Sequence, residues 1–428
     1  MSSTQHSTVI LGAGIIGVST AYYLSRFQDP STIHIIEASP ELFSSASGYA
    51  GGFLAKDWFA PSLSEWGALS FDEHRRLAEE NGGRDKWGYS SAVCISYAAS
   101  AALRDAEKRG DDWLRHGTSR SNAAPVILDH EQQSKTPSWL RRQEGDHLEL
   151  IGDEETTAQV DPLRLCQFLL DQSLKRGVLL YQPAKAVAVC TDGNGEVNGV
   201  KVAQDLGAGH EGTEVLIPCD RLVITAGAWT GKVFQKLFPS SDLKIPIQSL
   251  AGHSLVVRSP RWHKELEGNG CHAVFTTHDR QAFCPEMFSR IGGYIYFAGL
   301  NSSTIPVPEA EGGKAKPDPD ALASLKKAAV DILGSGDGGG GDDLRVVREG
   351  LCFRPVTAWG TPIISRIQDH HLGSGTTSRS GGGGVYVASG HGPWGISQSL
   401  GTGIVLSEMV AGRATSADVS GLAISSNQ

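Results

Sequence analysis

The tightest constraint on this chain lies near its start, in Thr8-Val-Ile-Leu-Gly-Ala-Gly-Ile-Ile-Gly-Val-Ser-Thr-Ala-Tyr-Tyr-Leu24. Thr8 to Leu11 is a short apolar, partly β-branched run, the composition of a strand buried on both faces. Gly12, Gly14 and Gly17 follow, then an apolar, helix-compatible run to about Arg26. Between a strand and a helix each glycine has a role. The first permits the tight turn, the second lets a pyrophosphate approach the backbone, and the third lets helix and strand pack closely. The helix start, at Ile15 and Ile16, presents N–H groups and a positive dipole end to phosphates. A second strand, Thr32 to Ile36, ends in Glu37, 20 positions after Gly17. That is the spacing of an acid that holds a ribose hydroxyl. The stretch predicts a dinucleotide site on an α/β unit.

The 428 residues exceed the ~250–300 at which single cores stop growing, so two domains are expected. The net charge of −9, with no long basic run, favours neither nucleic acid nor an anionic membrane surface. Seven scattered Cys without a C-x-x-C pair argue against a disulfide framework or a metal site, and for a reducing compartment. With a polar Met1 to Ser7 and no apolar run of bilayer length, a cytoplasmic enzyme without a membrane span is the expectation.

Ser45-Ala-Ser-Gly-Tyr-Ala-Gly-Gly-Phe53 is too polar for a core strand. Its small residues suit close approach to a bulky cofactor, and suit a surface loop equally well. Farther on, Ser64 to Asn81 is helix-compatible, with Asp72-Glu-His-Arg-Arg76 as its solvated face, and Tyr89 to Ala98 reads as a strand. Trp58, Trp66, Trp87, Trp113 and Trp139 are expected in cores or interfaces. Asp161-Pro162 opens an amphipathic helix to Arg176, closed by Gly177. Val178–Tyr181, Lys185–Cys190 and Val197–Gln204 read as strands, and Cys219 to Trp229 as a buried strand entering a small-residue turn. Strands between Leu243 and Tyr296 suggest an antiparallel sheet, followed by a helix over Ala321–Leu333 and a low-complexity run, Gly334–Asp343. Val385–Ala388 is a short strand leading through Gly390-His-Gly-Pro-Trp-Gly395 into a helix from about Ile396 to Val410.

Taken together, Gly12-Ala-Gly-Ile-Ile-Gly17, Ala21-Tyr-Tyr-Leu24, Glu37-Ala38, Ser45-Ala-Ser-Gly48, Gly51-Gly52, Thr225-Ala-Gly-Ala-Trp229 and the closing glycine turn resemble the D-amino-acid oxidase superfamily. This group includes glycine oxidase, sarcosine oxidase, D-amino-acid dehydrogenase and fructosyl-amine oxidases. The resemblance implies FAD. It sets Gly12, Gly14, Ile15, Ile16 and Gly17 on the pyrophosphate, Glu37 and Ala38 at the adenosine ribose, and Ser45, Ala46, Ser47, Gly51 and Gly52 beside the flavin. It sets Val187 at the adenine end, Ala226, Gly227 and Trp229 in a turn approaching the cofactor, and Gly390, His391, Gly392, Trp394, Gly395 and Ile396 near the flavin ring. The implied fold is α/β, α+β overall. A Rossmann-like FAD-binding domain is discontinuous in sequence (residues 1–85, 152–240 and 345–428), and a mixed or antiparallel sheet forms the substrate domain (86–151 and 241–344).

The resemblance also assigns chemistry. Arg354, in Phe353-Arg-Pro355, matches an Arg that pairs with the substrate carboxylate in amino-acid-oxidising relatives. A guanidinium suits this task because its planar fork grips both oxygens and stays charged. Tyr49 and Trp394 are candidates to line the substrate pocket. Cys352 aligns with the cysteine through which some sarcosine and fructosyl-amine oxidases attach FAD covalently, whereas relatives with Arg-Pro here often bind FAD non-covalently. Phe297 falls where sarcosine oxidases carry an oxygen-activating Lys. His253 and His391 receive no proton-transfer role. The implied reaction oxidises the C–N bond of an amino acid or secondary amine by hydride transfer to flavin N5, with oxygen or another electron acceptor. A flavin-binding scaffold or trafficking factor and an NAD(P)-dependent dehydrogenase are the alternatives.

Overall fold

Three sheets organise the computed structural model, which describes residues 6–98, 136–142, 145–204, 213–277, 283–334 and 343–424. The first has six strands in the order Ile363–Ile367, Gly384–Ser389, Arg221–Ile224, Thr8–Leu11, Ile33–Ile36, Leu179–Tyr181. Neighbours run parallel except Ile363–Ile367 against Gly384–Ser389. Thr8–Leu11, Arg221–Ile224 and Gly384–Ser389 are buried throughout, as parallel strands covered on both faces must be.

The helix Ile15–Leu24 is apolar on all sides and entirely buried. It shares one core with Pro162–Arg176 and with the closing helix Ser399–Val410. The two terminal helices touch closely: a Cβ on Gly403 would stand 2.7 Å from Ser19 Cβ. The closing helix therefore starts three residues later than the pattern suggests, after a 3₁₀ turn over Gly392–Trp394.

A nine-stranded sheet faces this unit. Its main path runs Arg345–Val356, Gln248–Arg258, Tyr294–Ser302, Glu286–Arg290, Cys271–Thr277, Ser90–Ala98, Thr157–Gln159, Phe53–Ala55, with His147–Gly152 pairing Ser90–Ala98 off the path. Among the described residues its strand pairs are antiparallel except Cys271–Thr277 with Ser90–Ala98, so the sheet is mixed. Alternation along Tyr294–Ser302 divides its faces. Ile295 and Phe297 join Leu255, Val257 and Met287 under the helix Pro319–Leu333, while Tyr296 and Ala298 turn to Phe53, Phe275 and Phe288. Ala184–Thr191, Val197–Gln204 and Thr213–Pro218 form a separate antiparallel meander.

Two expectations need adjustment. A domain boundary at residue 345 places the strand Arg345–Val356 with the nucleotide unit, but it hydrogen-bonds along Gln248–Arg258 in the nine-stranded sheet, which also takes Phe53–Ala55 and Thr157–Gln159. The face Asp72–Arg76 is only partly solvated. Glu73 is buried against Arg76 and the Tyr23 hydroxyl at 2.6 Å each, and His74 is buried with Nε2 3.0 Å from the Ile396 carbonyl. Trp58, Trp66, Trp87 and Trp139 are buried, while Trp113 and residues 335–342 lie outside the described residues.

Candidate active site

The carboxyl ends of the parallel strands open into one cleft, the position at which doubly wound sheets bind ligands. Leu11, Ile36, Thr225 and Ser389 line it from the six-stranded sheet, and Glu286, Phe288, Tyr296, Asn301, Cys352 and Arg354 from the nine-stranded sheet. The cleft holds about 2170 Å³ of empty space, its open mouth included.

At the phosphate-type end, Gly12 adopts φ +103°, and a Cβ there would lie 2.7 Å from the Thr225 carbonyl. Gly14 has an ordinary φ of −64°, but a Cβ would project to 3.2 Å from Ser47 Oγ, into the cleft. Gly17 does not line the cleft. Its absent side chain is a packing requirement, since a Cβ would sit 2.0 Å from the Gly12 carbonyl. The Ile15 N–H donates to Ser47 Oγ at 2.9 Å, and the Phe353 N–H to Ser45 Oγ at 3.3 Å, so Ser45 and Ser47 tie the two sheets together. Glu37 accepts from the N–H groups of Ala13 and Ser39, both at 2.8 Å. Burial pushes its carboxyl above the usual range, against the pull of the Ser39, Ala13 and Ala38 N–H groups.

Most of the expected cofactor residues meet here. Gly12, Gly14, Ile15, Ile16, Glu37, Ala38, Ser45, Ala46, Ser47, Gly51, Ala226, Gly227, Trp229, His391, Gly392, Gly395 and Ile396 all line the cleft. Gly52, Gly390 and Val187 do not. Gly52 turns the chain at φ +86°, with a hypothetical Cβ 2.1 Å from the Val160 carbonyl, and Gly390 packs beside Thr357 and Ile247. Val187 sits at a bulge between Ala186 and Ala188, and it is Ala184, Lys185 and Ala186 that reach the cleft.

The two aromatic pocket candidates lie elsewhere. Trp394 packs among Phe53, Trp58 and Phe59, with ring centroids 5.2–6.4 Å apart. Tyr49 is buried between cations, with Arg348 and Lys314 at 5.0 and 5.4 Å from its ring. Tyr296 and Phe288, on neighbouring strands and stacked with centroids 5.8 Å apart, occupy the cleft wall instead.

Arg354 reaches the cleft as a half-buried cation. Its Nη1 donates to Asn301 Oδ1 at 2.6 Å. Burial opposes its charge, but Cys352, Tyr296 and Glu286 outweigh burial and hold the guanidinium above its usual range. The space comes from Gly252, where a Cβ would lie 2.2 Å from Arg354 Nη1. Gly252 is registered between Asn301 and Cys352 on the flanking strands. Cys352 is 2% exposed and lines the same wall. Neither Asn301 nor Gly252 carries a signal in the sequence, because both act through cross-strand register.

His391 is buried with Nε2 3.0 Å from Thr402 Oγ1, and burial lowers it to about 3, which keeps the ring neutral. His253 Nε2 accepts from the Asp318 N–H at 3.1 Å and serves to anchor that loop. Phe297 faces the helix-covered core, so it cannot stand over the cleft as the alignment implies. Its strand neighbour Tyr296 faces the cleft instead, as Gly299 and Asn301 do farther along. The lysines that line the cleft, Lys185, Lys232 and Lys236, belong with Ala184 and Ala186 at its other end.

A family model described as FAD dependent oxidoreductase matches residues 7–409. The chain belongs to this DAO family of FAD-dependent oxidoreductases. A Schizosaccharomyces pombe protein classed as an oxidoreductase is 26% identical over 442 residues, covering 97% of each chain. D-amino acid dehydrogenase of Allorhizobium ampelinum is 24% identical, again over 97% of each chain. Among solved structures, glycine oxidase from Geobacillus kaustophilus superposes with a TM-score of 0.69 at 19% identity over 98% of both chains. Iminodiacetate oxidase from a Chelativorans species gives 0.68 at 18%, covering 97% of this chain and 98% of that one. These likenesses establish the fold.

As a DAO-family member the protein uses FAD. Its residues fit the group: a glycine turn with a side-chain-free approach at Gly14, a helix N-terminus behind it, and a half-buried acid at Glu37. Among the described residues no helix is long and apolar enough to cross a membrane, and no cluster of His, Cys, Asp and Glu is placed to hold a metal.

Proposed function

We propose that this oxidoreductase oxidises the C–N bond of a carboxylate-bearing amino acid or secondary amine, with FAD seated in the cleft. The observation that carries this reading is Arg354, a half-buried and permanently charged guanidinium that lines the cleft with Asn301 and Tyr296 as side-chain hydrogen-bonding partners. Its planar fork in the cleft wall matches the two oxygens of a substrate carboxylate. When bound, FAD supplies the hydride acceptor.

The chain's own residues then do three things. Arg354 and Asn301 fix the substrate's carboxylate end. Tyr296 and Phe288 form an apolar wall that excludes water and limits how the α-carbon is turned. The neutral His391 adds no charge beneath the site. The α C–H leaves as hydride and the amine N–H as a proton to solvent, giving an imine that water hydrolyses to a carbonyl compound and the released amine. A neutral amine and correct placement suffice, without a dedicated base.

The test is an anaerobic visible titration of the FAD-loaded protein with amino acids, N-methylated amino acids and amines lacking a carboxylate. Bleaching by carboxylate-bearing compounds is expected, and readmitted air then separates oxygen from another acceptor. Bleaching by carboxylate-free amines alone would overturn the reading.

A further inference from the structure

Arg290 is a buried cation that the reaction above does not use. It ends the strand Glu286–Arg290 and is 3% exposed. Burial, with Arg348's like charge assisting and Asp161 opposing, lowers its guanidinium to about 10, so it is still charged at neutral pH. Among the described residues it forms no ion pair. Its donors go to two main-chain carbonyls: Nη2 to Ala50 at 2.6 Å and to Gly51 at 2.7 Å, and Nε to Gly51 at 3.2 Å. Its guanidinium also lies 5.0 Å from the centroid of the Tyr296 ring.

These contacts join two walls of the cleft. Ala50 and Gly51 line it on the nucleotide side, and Phe288 and Tyr296 on the sheet side. Gly51 is seated directly on those rings: a Cβ would stand 2.5 Å from Phe288 and 3.1 Å from Tyr296. Gln159 Nε2 adds a further donor to the Gly51 carbonyl at 2.6 Å. Holding a buried guanidinium against carbonyls without a carboxylate is costly, so the fold spends a charge to fix this junction.

We propose that Arg290 is a positioning residue that locks the Ala50–Gly51 turn to Tyr296, so that the cofactor wall and the substrate wall of the cleft form one rigid unit. The proposal rests on the reading that FAD occupies this cleft. The fork geometry is what matters. A lysine keeps the charge but offers a single compact point, which cannot span both carbonyls and reach the ring together.

The experiment measures FAD affinity of the apoprotein by quenching of flavin fluorescence, together with the visible spectrum of the complex and the melting temperature of the apoprotein. Arg290→Lys is expected to weaken FAD binding at least tenfold and to shift the flavin bands, while the apoprotein melts close to wild type. Arg290→Met is expected to do the same, and if it does not fold the Lys variant decides. Unchanged FAD affinity in Arg290→Lys overturns the proposal. Should affinity and apoprotein melting fall together, a double-mutant cycle with Tyr296→Ala decides. Non-additivity of fivefold or more supports the lock, and additivity overturns it. Gly14→Val separately tests the seat of FAD. If that variant keeps full FAD affinity, the cleft reading fails. If it loses FAD while Arg290→Lys keeps it, only the positioning role fails.

Discussion

Replacing Arg354 with Met retains an unbranched apolar stem and leaves the space over Gly252 filled, so the sheet between Gln248–Arg258 and Arg345–Val356 should stay closed. What disappears is the charge and the fork. Two charge-assisted hydrogen bonds to a carboxylate are worth ~1.5–3 kcal/mol each, together ~3–6 kcal/mol. At about 1.4 kcal/mol per factor of ten, kcat/KM for a carboxylate substrate should fall by about 10²–10⁴. Asn301 remains but has lost the guanidinium that its Oδ1 accepts from at 2.6 Å, so it cannot replace the cation. Arg354→Lys should fall between, since it restores charge without the fork. The assay is anaerobic stopped-flow reduction of the bound flavin, comparing a substrate amino acid with the amine that lacks its carboxylate. The variant should lose its preference between the two, mainly through the carboxylate compound. Undiminished preference in Arg354→Met, with FAD still bound, would refute the reasoning.

Gly17→Ala forces a Cβ to 2.0 Å from the Gly12 carbonyl, a backbone atom that cannot rotate away, and should cost about 3 kcal/mol and weaken FAD binding. Gly421→Ala, with nothing within 4 Å, is the control, and equal melting temperatures for the two variants would remove the packing argument. Stability should decline on acidification from neutral pH because His391 and His74 stay neutral in the fold, lowered by burial to about 3 and about 4. The unfolded chain takes up those protons below pH ~6.5 and the folded chain does not, so each His costs about 2 kcal/mol by pH 5. Denaturation midpoints from pH 7 to pH 5 check this, with His391→Asn and His74→Gln flattening the slope. Acid precipitation should release FAD into the supernatant. Colour retained in the pellet and lost in Cys352→Ala would instead identify a thioether at Cys352.

The glycine turn was legible because local physics dictates it. Gly12, Gly14 and Gly17 are required wherever a strand must turn into a helix within a few residues, and Glu37 follows at the distance one βαβ step imposes. The closing segment Gly390–Gly395 was legible for the same reason. The Ser45–Phe53 stretch was only half legible, because small polar residues suit both a loop and a cofactor wall. Its Ser45 and Ser47 contacts reach Phe353 and Ile15, far away in sequence. Tyr49 and Trp394 show the opposite failure: proximity in sequence to cofactor motifs did not carry their rings into the cleft.

The sequence by itself thus determined what depends on neighbours along the chain: the nucleotide-binding turn, the buried parallel strands, the helices that flank them, and through them the family. Tertiary structure alone decided which side chains share the cleft. Strand alternation put Tyr296 into it and Phe297 behind it, cross-strand register set Gly252 beneath Arg354 and Asn301 beside it, and Arg290 found its acceptors at Ala50 and Gly51. Those choices depend on pairing between strands distant in sequence, where a shift of one residue would turn every side chain to the other face.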